Sequence, residues 1–160
     1  VSPWESPGPA RTREEETEHL LALYEGDATR VLALVDGQLQ SLAARAQTLL
    51  SLTGITITVT GFSGANIAKT SVAAAVLIVA GLVLVLVGAA LCIGGILVVR
   101  WTTQIAPCPP RDAVLYALEN RDRKTLAYGR ALTFVILGLS TYVASVALLL
   151  LNALFPQGRS

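Results

Sequence analysis

Small residues recur at every seventh position through three apolar stretches of this chain, and the surrounding hydrophobic pattern is helical in spacing. In the second stretch the row is Ala74, Gly81, Gly88 and Gly95; in the third it is Ala131, Gly138, Ser145 and Asn152. The first stretch carries two interleaved rows, Gln47, Gly54 and Gly61 beside Ser51 and Thr58. Seven residues is close to two helical turns, so each row predicts a stripe of small side chains down one helix face. Lipid tails give helices no hydrophobic reason to associate, and close backbone approach over small residues draws them together instead. These rows are therefore the expected helix-packing positions.

The predicted spans are residues 43–62, 69–99 and 131–155. Between Thr70 and Val99 there is no charged residue, a run longer than the 18 or so that mark a transmembrane helix. Ile55 to Thr60 alternates as a strand would, but a lone strand leaves its backbone groups without partners in lipid, so a helix is expected there too. Ser63 to Asn66, with Gly64 inside, predicts a tight turn that would set the small rows of the first two helices face to face.

Outside the spans the pattern changes. Residues 1–12 hold Pro3, Pro7, Gly8 and Pro9 and read as a disordered lead. Over 13–42 the residues Leu20, Tyr24, Ala28, Val31, Val35 and Leu39 step by three and four, and the stepping runs on through Leu42 and Ala46, the mark of an amphipathic helix. Gly26 and Asp27 predict a break in it, with Asp27 capping the second piece. The acidic run Glu14 to Glu16, with Glu18, argues for packing on protein rather than lying in the lipid interface. The loop-helix region 100–130 opens with Pro107, Pro109 and Pro110, then predicts a short helix from Asp112 to Tyr128 with Val114, Leu115 and Leu118 on one face. The expected fold is all-α: three transmembrane helices preceded by an amphipathic cytoplasmic helix. Arg45, Arg100, Trp101, Tyr128 and Arg130 stand where membrane-interface anchors belong.

Composition agrees with the pattern. Hydrophobic residues make up 53% and charged residues 14% of the chain, against about a quarter charged in soluble domains. A net charge of +1 gives no field that would hold nucleic acid. Basic residues cluster before the first span and between the second and third, whereas Lys69 and Arg159 stand alone on the other side. The positive-inside bias then places the amino terminus and the long loop in the cytoplasm and the carboxyl terminus outside.

Candidate chemistry is sparse. Gly61-Phe62-Ser63-Gly64 matches the Gly-x-Ser-Gly of intramembrane serine proteases, but the one histidine, His19, falls on the opposite membrane side and could not take the serine proton. His19, Cys92 and Cys108 lack the paired spacing of a metal site. The interiors of the spans hold no Asp, Glu, Lys or Arg, which argues against ion-coupled transport. No enzyme and no cofactor is expected. Thr53, Thr56, Thr60 and Ser63 share one arc of the first span. Their hydroxyls either line a polar path or bond the carbonyl one turn back in their own helix. Arg121-Asp122-Arg123-Lys124 reads as a solvated face or as a site of attraction for anionic headgroups.

Arg45-Ala46-Gln47-Thr48-Leu49-Leu50, with Gly54 four residues on, resembles the Lys/Arg-Ala-x-x-Leu-Leu-x-x-x-Gly segment of small bacterial membrane effectors of the Pycsar type. The SLATT effectors are similar in layout. The resemblance covers layout over 30–155 and sequence over about ten residues. It implies a bacterial inner-membrane protein that oligomerises and perturbs the membrane when a nucleotide signal arrives. The residues themselves point first to a non-enzymatic integral membrane protein acting through helix–helix assembly. It would be a structural or accessory subunit, or a homo-oligomer, with the lipid bilayer and itself or other membrane subunits as partners. A pore-forming effector is the alternative.

Overall fold

Caps and prolines divide the described residues into four α-helices, and the apolar rows decide how they pack. The computed structural model describes residues 8, 10–68, 72–98 and 106–154. Helix α1 runs Arg13–Leu23. The Glu15 N–H donates to Thr12 Oγ1 at 3.1 Å, while the Glu15 carboxylate reaches back to the Arg11 N–H at 2.8 Å. Glu14, Glu15 and Glu16 sit in the first turn, where the helix dipole favours negative charge. The helix ends in a Schellman arrangement: the Gly26 N–H bonds Leu21 O at 2.7 Å and the Glu25 N–H bonds Ala22 O at 3.3 Å. Glu25 and Gly26 both take positive φ, 55° and 80°.

Helix α2, Ala28–Ala68, follows at once. Asp27 caps it as expected, its Oδ1 accepting from the Thr29 and Arg30 N–H groups at 3.0 and 3.2 Å. No boundary separates the amphipathic part from the first span, and the turn expected at 63–66 is helical instead. Gly64 permits a turn without requiring one. With no proline in the stretch, continuing the helix keeps every backbone N–H bonded where lipid offers no substitute.

Helix α3, Val72–Cys92, continues into one π-helical turn, Ile93–Leu97. Together these 26 residues extend about 39 Å, enough to cross a 30 Å hydrocarbon core. Helix α4 runs Pro110–Leu154. The short helix expected at 112–128 and the third span are one element, because the cost of about 1 kcal/mol for Gly129 inside a helix is too small to break it. Pro110 occupies the first helical position, where its missing N–H is not needed. The Pro109 carbonyl accepts from Asp112 and Ala113 at 3.0 and 3.1 Å.

Among the described residues the fold is thus all-α, and three of the helices are long and apolar enough to cross a membrane. Two compact units can be distinguished. The first draws on Val1–Ser41 and Val99–Lys124, the second on Leu42–Val98 and Thr125–Ser160, so α2 and α4 lend a segment to each. In the first unit Val31, Val35, Val114 and Leu118 are fully or almost fully buried, with Leu20, Leu21, Tyr24, Ala28 and Leu39 packed around them. Leu20, Tyr24, Ala28, Val31, Val35 and Leu39 are positions that the three-four stepping singles out, and Val114 and Leu118 lie on the apolar face expected after Asp112. In the second unit the buried side chains are mostly small, whereas large ones such as Val72, Val76, Val79, Val83, Ile136 and Val143 point outward. That inversion is what a bundle surrounded by lipid requires.

Glu25 holds a left-handed φ that costs a residue with a Cβ roughly 1–2 kcal/mol. Glu25→Gly should therefore stabilise the α1 terminus by about 1 kcal/mol, read as slower amide exchange across Leu20 to Asp27. Glu25→Val should speed it.

Candidate functional site

The second and third small rows meet each other, residue for residue, in antiparallel register. Ser145 Oγ donates to Ala74 O at 2.9 Å. One step of seven along each helix, a Cβ built on Gly81 would stand 2.8 Å from Gly138 O, and one on Gly138 would stand 2.7 Å from Gly81 O. A further step brings Gly88 against Ala131 O and Val135 Cγ2, at 3.0 and 2.7 Å from its ideal Cβ. Ala74, Gly81, Gly88, Ala131, Gly138 and Ser145 are all buried. At Gly81 and Gly138 the helices touch backbone to backbone, so any side chain there would enter a carbonyl oxygen. Gly95 lies in the π turn and meets the Ala127 Cβ, 2.6 Å from its own ideal Cβ position. The widened turn ends the seven-residue matching there: Ala127 lies only four residues before Ala131. The Asn152 side chain lies outside the described residues.

The first span behaves otherwise. Gln47, Ser51, Gly54, Thr58 and Gly61 are all exposed, and nothing stands within 4 Å of a Cβ placed on Gly54 or Gly61. The expectation that this row packs inside the chain against the second span is therefore wrong: α3 spends its row on α4. The face α2 turns inward is Ala46, Leu49, Thr53 and Thr60. Ala46 and Leu49 join Cys92, Ile96, Ala131 and Val135 in one cluster. Ala46, Thr53 and Thr60 also recur at sevens, a signal present in the sequence.

Local bonding explains how threonine can be buried in such a bundle. Thr53 Oγ1 donates to Leu49 O at 2.9 Å, Thr56 to Leu52 O at 2.9 Å and Thr60 to Thr56 O at 2.8 Å. Thr58 does the same to Gly54 O at 2.9 Å on the outer face. Each hydroxyl is satisfied one turn back in its own helix, leaving a methyl group for packing. Among the described residues no buried side-chain N or O lacks a partner. The Ser63 side chain lies outside those described.

The anchors divide. Arg45 and Arg130 are exposed, whereas Tyr128 is half-buried against the Ala46–Val135 cluster and serves packing as much as any interface. Arg100 and Trp101 lie outside the described residues. No group of His, Cys, Asp or Glu that could hold a metal is found among the described residues. Comparison with known protein families, curated proteins and solved structures finds no match to this chain.

Two classes of glycine follow from this geometry. Gly81→Ala and Gly138→Ala should each destabilise the protein by about 1–3 kcal/mol, the cost of overpacking, and lower the melting temperature in detergent. Gly54→Ala should leave it unchanged or slightly raise it, since the position is open and alanine is the better helix former.

Proposed function

We propose that this is a non-enzymatic integral membrane protein whose work is helix-mediated assembly, with the outer face of α2 as its contact surface. One observation carries the reading. Of the four small-residue rows, those of α3 and α4 are consumed against each other inside the chain. The two interleaved rows of α2 face outward, with nothing within 4 Å of a Cβ on Gly54 or Gly61. Leu52, Ile55 and Val59 flank them and are also exposed. A shallow groove edged by branched side chains is the form that helix pairing in lipid takes.

The same three-four stepping reaches back along α2 through Ala44, Gln40, Gly37 and Ala33, all exposed, with nothing within 4 Å of a Cβ on Gly37. Lipid alone gives no reason for small residues to hold a heptad register upstream of the apolar stretch. A partner helix of the same length and orientation does, and a second copy of α2 is the partner that fits. Copies inserted the same way run parallel, and no charged residue stands on the row from Ala33 to Gly61 that would oppose its own image. The threonine hydroxyls are bonded within their own helix, which favours assembly over a lined pore.

For location, the reading is a bacterial inner membrane with the amino terminus and the 99–124 region in the cytoplasm. The basic residues Arg111, Arg121, Arg123, Lys124 and Arg130 precede the apolar part of α4. The early parts of α2 and α4 share one apolar cluster, as two helices entering from the same side would.

Gly54→Leu with Gly61→Leu should reduce self-association in liposomes at least tenfold, measured by energy transfer between labelled copies, with the helix content and melting temperature of the wild type. Undiminished transfer would remove the assembly reading. Orientation is tested by thiol labelling. Cys108 is exposed and Cys92 buried, so an impermeant maleimide should label one thiol per chain, in inverted vesicles and not in spheroplasts.

A further inference from the structure

Ion pairs to α4 and a modest apolar contact with the Val31–Leu118 cluster hold α1 in place. Arg121 donates to both carboxylate oxygens of Glu16, at 2.7 and 3.1 Å. Arg111 meets Glu18 at 3.3 Å and Arg13 meets Asp122 at 3.3 Å. Against this, Thr17 is the one buried residue of α1, and its hydroxyl turns back onto Arg13 O at 2.7 Å. Leu20 and Leu21 are only partly buried, and Leu23 is 64% exposed. The two outer pairs are open, hence weak and screened by salt. Arg121, about a fifth exposed, also bonds its neighbour Asp122 at 2.7 and 3.0 Å and is the strongest point of the contact. The segment that joins α1 to α2 is the Glu25–Gly26 turn, with open space around Gly26. A swing of α1 about this turn would leave the hydrogen bonds of α2 intact.

The cationic side of this contact lies next to the membrane in sequence. Arg121 precedes Ala131 by ten residues, about 15 Å of helix, and Arg123, Lys124 and Arg130 stand between them. A basic stretch beside a span is drawn to anionic headgroups. A phosphate diester also offers a guanidinium the two-oxygen geometry that Glu16 now provides. We infer that α1 is a charge-latched strap which anionic phospholipid displaces, the headgroup taking Arg121 and Arg111 from Glu16 and Glu18. Release bares the apolar face of Val31, Val35, Val114 and Leu118 beneath it. This rests on α4 crossing a bilayer and is independent of the assembly reading.

Amide exchange of the full chain tests it, in nanodiscs of phosphatidylcholine alone and with a minority of phosphatidylglycerol. Anionic lipid should speed exchange over Arg13–Leu23 about tenfold while Val72–Cys92 stays slow. Arg121→Gln should bring the fast exchange into the neutral lipid, and the exchanged pair Glu16→Arg with Arg121→Glu should slow it again. Equal α1 rates in the two lipids would overturn the proposal, as would a response to salt without one to phosphatidylglycerol. If Arg121→Gln also frees α3, the exchanged pair decides: failure to restore slow exchange over α1 counts against the latch.

Discussion

Two helices can meet backbone to backbone only where neither carries a side chain, and the arrangement of the second unit follows from that constraint. Gly81 and Gly138 each stand where a Cβ would press into the other's carbonyl oxygen. Because each glycine belongs to a seven-residue row, one close approach fixes the register of the whole pair: Ala74 with Ser145 on one side, Gly88 with Ala131 on the other. In water such a seam would be a poor core, since it buries little apolar area. In lipid it is sufficient, because the alternative contact for each helix is an acyl chain of equal polarity.

A second constraint acts on polar groups. A hydroxyl inside a bilayer must find a partner, and the nearest is the carbonyl four residues earlier. Thr53 and Thr60 use it and are then free to face inward as compact, methyl-bearing side chains. The first unit obeys the opposite solvent. There the apolar side chains of α1, α2 and α4 turn inward, and the charges turn outward into cross-helix pairs.

Much of this was legible in the residues. The spans, the break at Gly26–Asp27, the capping by Asp27 and the inward positions from Leu20 to Ala46 follow from helical stepping. Two kinds of feature were not legible. Helix ends at 62 and 130 were inferred from glycine and turn composition, but in lipid an unbroken hydrogen-bond ladder outweighs a weak local propensity. The pairing of rows was also misassigned. Four rows of similar spacing allow several matches, and only contact at backbone resolution shows that α3 turns to α4. The threonine arc of α2 and its carbonyl bonds are legible too, but spacing alone does not show that Thr53 and Thr60 turn inward beside Ala46 and Leu49.

The outward row of α2 has a consequence for stoichiometry. Each chain offers one such surface, and a surface that matches itself about a twofold axis is used up when it is filled. Complexes formed through it would close as pairs rather than grow into rings or filaments. Any larger array would need a second, different contact elsewhere on the chain.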